Sequence, residues 1–234
     1  MYYLDEFYDS NNGLVTVQPE QASKFAKEIS DDFNPLHDPD NKRFCVPGDL
    51  LFAISLVKYG LSQKMDFHYT GMVGKGTELV YPNAIKGSFS LEDTRGKECL
   101  SAEISGNNIT DLAIIESFTK AYVAFSGHCF PHILVPLMKE HDVMINPARP
   151  MVIYESMGFE FETISLVSPS LKLTKTKLNV DGKRGTVTIE FDLLDQNNVV
   201  GKGRKSMILS GLRAYDEETI QVLISNYENF KTRY

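Results

Sequence analysis

Positive charge is scarce in this sequence. Its 24 Lys and Arg residues are outnumbered by 31 Asp and Glu, for a formal net charge of −7. Such a balance is a poor fit for neutralising nucleic-acid phosphates or anionic lipid, so neither nucleic acid nor a membrane is expected as a partner. Cysteine is scarce too. Cys45, Cys99 and Cys129 are an odd number, widely spaced, with no C-x-x-C pair, which points away from a disulfide framework or a thiolate metal site and toward a reducing compartment. A long apolar run is missing: the most apolar stretch, Leu50 to Val57, stops at Lys58, well short of the roughly 20 residues that span a bilayer. The amino terminus, Met1-Tyr2-Tyr3-Leu4-Asp5-Glu6-Phe7, is acidic where an export signal carries positive charge before an apolar core. A cytoplasmic protein is expected.

What is present supports a folded core. Apolar residues make up 42% of the chain, with 14 Phe and 11 Tyr, too many for a disordered polymer. The length of 234 residues allows one large domain or two small related ones. Leu14-Val15-Thr16-Val17 reads as a short strand, and Pro19 opens a helix through about Ile29 in which Ala22, Phe25, Ala26 and Ile29 share one face. Residues 30–44 hold four Asp and two Pro and lose all periodicity, as long irregular loops that carry function do. Pro47-Gly48-Asp49 then starts a second helix to about Gln63, apolar on nearly every side and therefore buried. From Met65 the period becomes two, with strand-like runs near 65–73, 78–81, 86–92, 98–104 and 113–125.

A second cycle follows Ser126-Gly127. A short apolar helix at Ile133–Met138 precedes strand-like runs at 151–166, 170–180, 185–194 and 199–211, with turn chemistry at Asp181-Gly182 and Asn197-Asn198. A last helix is expected from Asp216, its N-cap, to about Phe230. Helix-then-strands thus occurs twice, an α+β pattern, and Cys45-Val46-Pro47-Gly48 is faintly echoed by Cys129-Phe130-Pro131-His132. The halves, 1–126 and 127–234, differ in charge: 11 basic against 18 acidic residues in the first, 13 against 13 in the second.

The informative segment is Asp32-Phe33-Asn34-Pro35-Leu36-His37. An Asn-Pro turn folds the backbone back, so the carboxylate and the imidazole can converge on one water. Such a pair suits addition of water across a double bond conjugated to a carbonyl, or its removal, with one group taking the water's proton and another protonating the α-carbon. No metal or cofactor is required. The same residues also fit a surface turn in which Asp caps, Asn-Pro bends and His bonds a carbonyl.

From Val15-Thr16-Val17 through Phe25-Ala26 and the Asp32–His37 motif to Val46-Pro47-Gly48-Asp49-Leu50-Leu51, the chain resembles the MaoC-like (R)-specific enoyl-CoA hydratases of the hot-dog fold. The resemblance implies Asp32 and His37 as the catalytic acid/base pair, with Asn34 holding the loop. It also implies a substrate oxygen bound by the backbone amides around Gly48 and Asp49, a helix N-terminus suited to negative charge. Two features depart from it. Pro47-Gly48 stands where the family has His-Gly, which is closer to the hot-dog acyl-carrier-protein dehydratases, and the Asp49 carboxylate is placed to compete for the same amides.

The expected architecture is a double hot-dog, antiparallel sheets each wrapped around a buried central helix, acting as its own dimer or forming a further homodimer. The expected ligand is an acyl thioester of coenzyme A or acyl carrier protein. A non-catalytic acyl-thioester binder and a hot-dog thioesterase are the alternatives. His128 and His132 around Cys129 read as a helix entry, and Gly74-Lys75-Gly76 and Gly201-Lys202-Gly203 lack the full phosphate-loop spacing. Lys172, Lys175, Lys177, Lys183, Arg184, Lys202, Arg204 and Lys205 are read by default as solvated strand faces. Lys202 and Arg204 are the residues among them expected to attract the carrier's phosphates.

Overall fold

A computed structural model describes residues 2–234. The chain begins with a hairpin: β1 (Asp9–Asn11) and β2 (Leu14–Thr16) are joined by Asn12 and Gly13, both at positive φ, as a two-residue turn requires. α1 (Pro19–Glu28) starts at its proline and buries Ala22, Phe25 and Ala26. A single 3₁₀ turn, Pro35–His37, lies in the irregular stretch. α2 (Gly48–Tyr59) then buries every residue from Asp49 to Leu56. It stops at Tyr59 instead of near Gln63 because Gly60 turns the chain at φ 83°, and a side chain there would collide with Asn108.

Four strands follow: β3 (Leu61–Tyr69), β4 (Glu78–Val80), β5 (Ser88–Asp93) and β6 (Glu98–Ile109). β6 runs on through Gly106-Asn107-Asn108, past the strand-like run expected near 98–104. Residues 113–125, expected as a strand, are helical: they belong to α3 (Leu112–Gly127). Asp111 caps this helix by accepting the Ala113 N–H at 2.8 Å. Ile115, Phe118, Thr119, Tyr122, Val123 and Ser126 form its buried stripe, and that 3.6-residue period outweighs the strand preference of its β-branched and aromatic residues. α4 (Leu134–Glu140) is the expected short helix, and β7 (Val143–Met144) leaves it.

The remaining strands are β8 (Val152–Phe161), β9 (Pro169–Asp181), β10 (Arg184–Asp195), β11 (Asn198–Ser210) and β12 (Arg213–Ala214). α5 (Glu217–Arg233) closes the chain, with Asp216 accepting the Thr219 N–H at 2.8 Å. No helix among the described residues is long and apolar enough to cross a membrane.

Ten strands form one antiparallel sheet in the order β1-β2-β4-β5-β6-β3-β8-β11-β10-β9, while β12 and β7 pair separately. Within it a pattern repeats. β3 pairs with β6 at the end of the β4-β5-β6 meander, and β8 pairs with β11 at the end of the β9-β10-β11 meander. The two units meet where β3 pairs with β8, from Lys64↔Glu160 to His68↔Ser156. Aromatic side chains fill the space between helices and sheet. Phe52 on α2 packs edge-on against Phe67 at 5.1 Å and lies 4.8 Å from Tyr122 on α3. Phe118 on α3 meets Phe159 at 5.1 Å. Offset and edge-on pairs of this kind are favoured over face-to-face stacking, and they fix both helices against the junction of the two units.

Candidate active site

The loop after α1 is built by short-range bonds. Asp32 N–H donates to Ala26 O at 2.8 Å, and Asp31 just before it takes φ 53°. The Asp32 carboxylate accepts the Asn34 N–H at 2.9 Å, and the Asn34 side-chain oxygen accepts the Leu36 N–H at 3.1 Å. These two Asx turns wind the chain so that His37 returns toward Asp32. His37 Nδ1 donates to Cys45 O at 2.7 Å, and because a carbonyl can only accept, the neutral ring carries its proton on Nδ1. Nε2 is left with a free lone pair, 3.7 Å from Asp32 Oδ2. That separation is too long for a direct hydrogen bond and leaves the two groups facing a common point.

Both line a cavity of about 610 Å³, in the range of small-molecule sites. Its walls are mainly apolar, with Leu51, Val73, Leu134, Ile145, Met207 and Phe230 among them. Burial raises the proton affinity of Asp32, His37 and the Asn34 N–H oppose that rise, and the nearby Asp49 adds to it. The carboxyl is thereby biased toward its protonated form.

Other elements grip this loop from outside. Gly127 ends α3 where a Cβ would run into the Ser30 carbonyl, so glycine lets the helix and the loop touch. Asp31 is held by His128 Nε2 at 3.0 Å and by Lys231 on α5. Phe33 sits edge-on to Tyr227, Phe230 and Tyr234 at 6.0, 6.0 and 5.9 Å. None of these anchors was legible as such in the sequence.

A second polar cluster stands beside the first. Asp49 on α2 accepts Lys205 Nζ at 3.2 Å, Ser126 Oγ at 2.6 Å and Tyr154 Oη at 2.9 Å. Lys205 also contacts Ser126 Oγ and lies 3.5 Å from the centre of the Tyr154 ring. Read from the sequence as part of a solvated strand face, Lys205 is 1% exposed and paired. Its one sequence signal is weak: Lys205 shares a parity of β11 with the apolar Met207 and Leu209, yet Ser206 and Ile208 on the opposite parity are buried as well. A β-bulge between Ser206 and Met207, opposite Glu155, aims Tyr154 inward, which strict alternation does not foresee.

The expected site residues therefore separate. Asp32, Asn34, His37 and Gly48 line the cavity. Asn34 uses its side-chain oxygen to brace the turn. The Asp49 carboxylate, expected to compete for the α2 amides, is occupied by Lys205, Ser126 and Tyr154. Gly48 and Asp49 precede the first intrahelical bonds of α2, which run from Leu50 and Leu51 to Pro47 O. Lys202 and Arg204 are outside the cavity lining. They stand exposed on β11, across from Glu160 and Asp192 for Lys202 and from Glu190 for Arg204. Ser126, Tyr154 and Cys129 line the cavity without having been singled out for it, and burial pushes the Cys129 thiol up to about 12, which keeps it protonated.

Comparison with known proteins gives three results. A family model described as protein of unknown function (DUF3581) matches residues 1–218. No curated protein matches the sequence. Among solved structures, a putative thioesterase II from Thermobifida fusca YX is similar at 9% identity and a TM-score of 0.47, covering 90% of this chain and 98% of that one. A MaoC-like dehydratase is similar at 10% identity and 0.45, covering 86% and 97%. An acyl-CoA thioesterase II from Mycobacterium marinum is similar at 7% identity and 0.41, covering 92% and 98%.

Proposed function

The chain belongs to the DUF3581 family, and we propose that it hydrates an enoyl thioester of coenzyme A or acyl carrier protein, or dehydrates the corresponding 3-hydroxyacyl thioester. One observation carries this reading: Asp32 and His37 face each other across 3.7 Å at the wall of an open, apolar cavity, with the His37 ring held by Cys45 O. The two repeated units are, in this reading, two fused hot-dog halves, 1–126 and 127–234, with α3 at their junction. The apolar walls receive the acyl chain.

The proposed chemistry follows from the proton positions. His37 Nε2 takes a proton from the water between the two groups, and the water oxygen bonds to the β-carbon. Asp32, biased toward its acid form by burial, gives its proton to the α-carbon as the double bond is lost. The proton then returns from His37 to Asp32, leaving a hydroxyl on the β-carbon and one more hydrogen on the α-carbon. A general acid with a raised pKa is better matched to neutral pH than an ordinary carboxylate. No metal or cofactor takes part in this scheme.

The same activated water, aimed at the carbonyl carbon, would hydrolyse the thioester instead. One experiment separates the two. Crotonyl-CoA and longer enoyl-CoA homologues are incubated with the protein while enoyl-thioester absorbance and free thiol are followed together. Hydration removes the absorbance without releasing thiol. Thiol release at the same rate would make the protein a thioesterase, and binding with neither change would make it a non-catalytic binder.

A further inference from the structure

The second polar cluster has a proton balance that the proposed chemistry leaves unused. Lys205 brings three protons, Ser126 one and Tyr154 one, and they meet the two oxygens of Asp49 and the oxygen of Ser126. Lys205 supplies Asp49 Oδ1 at 3.2 Å and Ser126 Oγ, and its remaining face rests on the Tyr154 ring at 3.5 Å. Asp49 Oδ2 is then contested by two hydroxyls: Ser126 Oγ at 2.6 Å and Tyr154 Oη at 2.9 Å, which are themselves 2.6 Å apart. One of the two is enough to satisfy that oxygen. The other proton can turn away without leaving a buried charge bare.

Position decides which proton turns. Both line the cavity, but Ser126 is 2% exposed and already accepts from Lys205, whereas Tyr154 is only partly buried. The Tyr154 ring crosses the start of α2, with Cδ2 2.9 Å from where a Cβ on Gly48 would stand. Gly48 lines the same cavity. We propose that the Tyr154 hydroxyl donates a hydrogen bond to the acyl oxygen of the bound thioester, with Ser126, Asp49 and Lys205 positioning it. Burial and the Asp49 charge hold this phenol neutral far above the ordinary tyrosine range, so it acts as a donor and never as a base. This inference rests on the thioester reading.

The test uses two ligands that differ at one atom. Crotonyl-CoA and S-crotyl-CoA, the thioether in which CH₂ replaces the carbonyl, are titrated by calorimetry into wild type and Tyr154→Phe. Tyr154→Phe should weaken crotonyl-CoA about tenfold, the worth of one well-made hydrogen bond, and change the thioether less than twofold. Ser126→Ala leaves Tyr154 as the sole hydroxyl on Asp49 Oδ2, so it should weaken crotonyl-CoA and spare the thioether in the same sense. A merely structural role would move both ligands together. Equal weakening of both ligands in both variants, or no weakening in either variant while the wild type still hydrates crotonyl-CoA, would overturn the Tyr154 assignment alone. Failure of the wild type to bind crotonyl-CoA would overturn the thioester reading and this inference with it.

Discussion

Among the carboxylate and nitrogen-base pairs near the cavity, two are built in opposite ways. Asp49 and Lys205 have side chains 3% and 1% exposed, drawn from α2 and β11 and tied to Ser126 and Tyr154. Asp32 and His37 come from one short loop, keep 19% and 12% exposure, and stand 3.7 Å apart. A buried pair whose bonds are made has little to exchange with a water molecule, and its value lies in orientation. A half-satisfied pair at a cavity has a free lone pair and a carboxyl of raised proton affinity, which is what proton transfer needs. Charge alone does not distinguish the two. Unused bonding capacity does.

Substitutions should separate the pairs by the quantity they change. His37→Ala should leave folding intact and slow enoyl-thioester hydration about 100- to 10,000-fold, the usual scale of general acid-base catalysis. The Asp32→Asn/His37→Ala double variant should be no slower than the poorer single variant, since the two act as a unit. Additive losses in steady-state kinetics would assign them independent roles.

Lys205→Met should instead act on stability. It strands the buried Asp49 charge, and breaking a buried pair in this way costs about 3–5 kcal/mol, read as a lower denaturation midpoint. Adding Asp49→Leu should recover most of that loss. A Lys205→Met protein as stable as wild type would mean that the Asp49 carboxylate finds another partner or is protonated.

Asp32→Asn should act on stability in the other direction. Burial raises the folded-state proton affinity of Asp32, so the group favours folding below its unfolded pKa near 3.8, and that contribution is lost as pH rises through the folded value. At neutral pH the buried carboxyl therefore weighs against the fold, because in the unfolded chain it ionises freely. The amide should raise stability by about 0.5–2 kcal/mol, a common scale for replacing a functional group, and the gain should vanish below about pH 3.8. Melting curves across pH would check the sign. A destabilised Asp32→Asn protein at pH 7 would contradict it.

The smallest effect is expected at Lys202 and Arg204. Exposed opposite acidic residues on neighbouring strands, they should tolerate Lys202→Glu with Arg204→Glu within about 0.5 kcal/mol each. If they steer the carrier's phosphates, the Michaelis constant for a coenzyme A thioester should rise at low salt and recover at high salt, with turnover unchanged. An unchanged constant leaves them as a solvated strand face.

Local geometry was legible in the sequence, and long-range convergence was not. The Asp32–His37 approach depends on Asx turns inside six residues, so the motif announced its own geometry. The four long strands of the second unit followed from alternation and from turn residues at Asp181-Gly182, although the last turn falls on Gln196-Asn197, both at positive φ. α3 was hidden because Ile114, Ile115, Phe118, Tyr122, Val123 and Phe125 favour strands individually, and only the spacing of Ile115, Phe118, Tyr122 and Ser126 betrays the helix. Lys205 was hidden in a run of basic residues. Its partner Asp49 lies far away in sequence, and nothing local connects them. Tyr154 depends on a bulge, an irregularity that period-two reading cannot register.

The central claim is that Asp32 transfers a proton to an enoyl thioester, and the most direct measurement is the rate of crotonyl-CoA absorbance loss with wild type against Asp32→Asn at neutral pH. The account predicts turnover by the wild type without thiol release, and a fall of at least about 100-fold in the variant while its fold is retained. Equal rates in the two proteins, or loss of crotonyl-CoA only through release of free thiol, would contradict it.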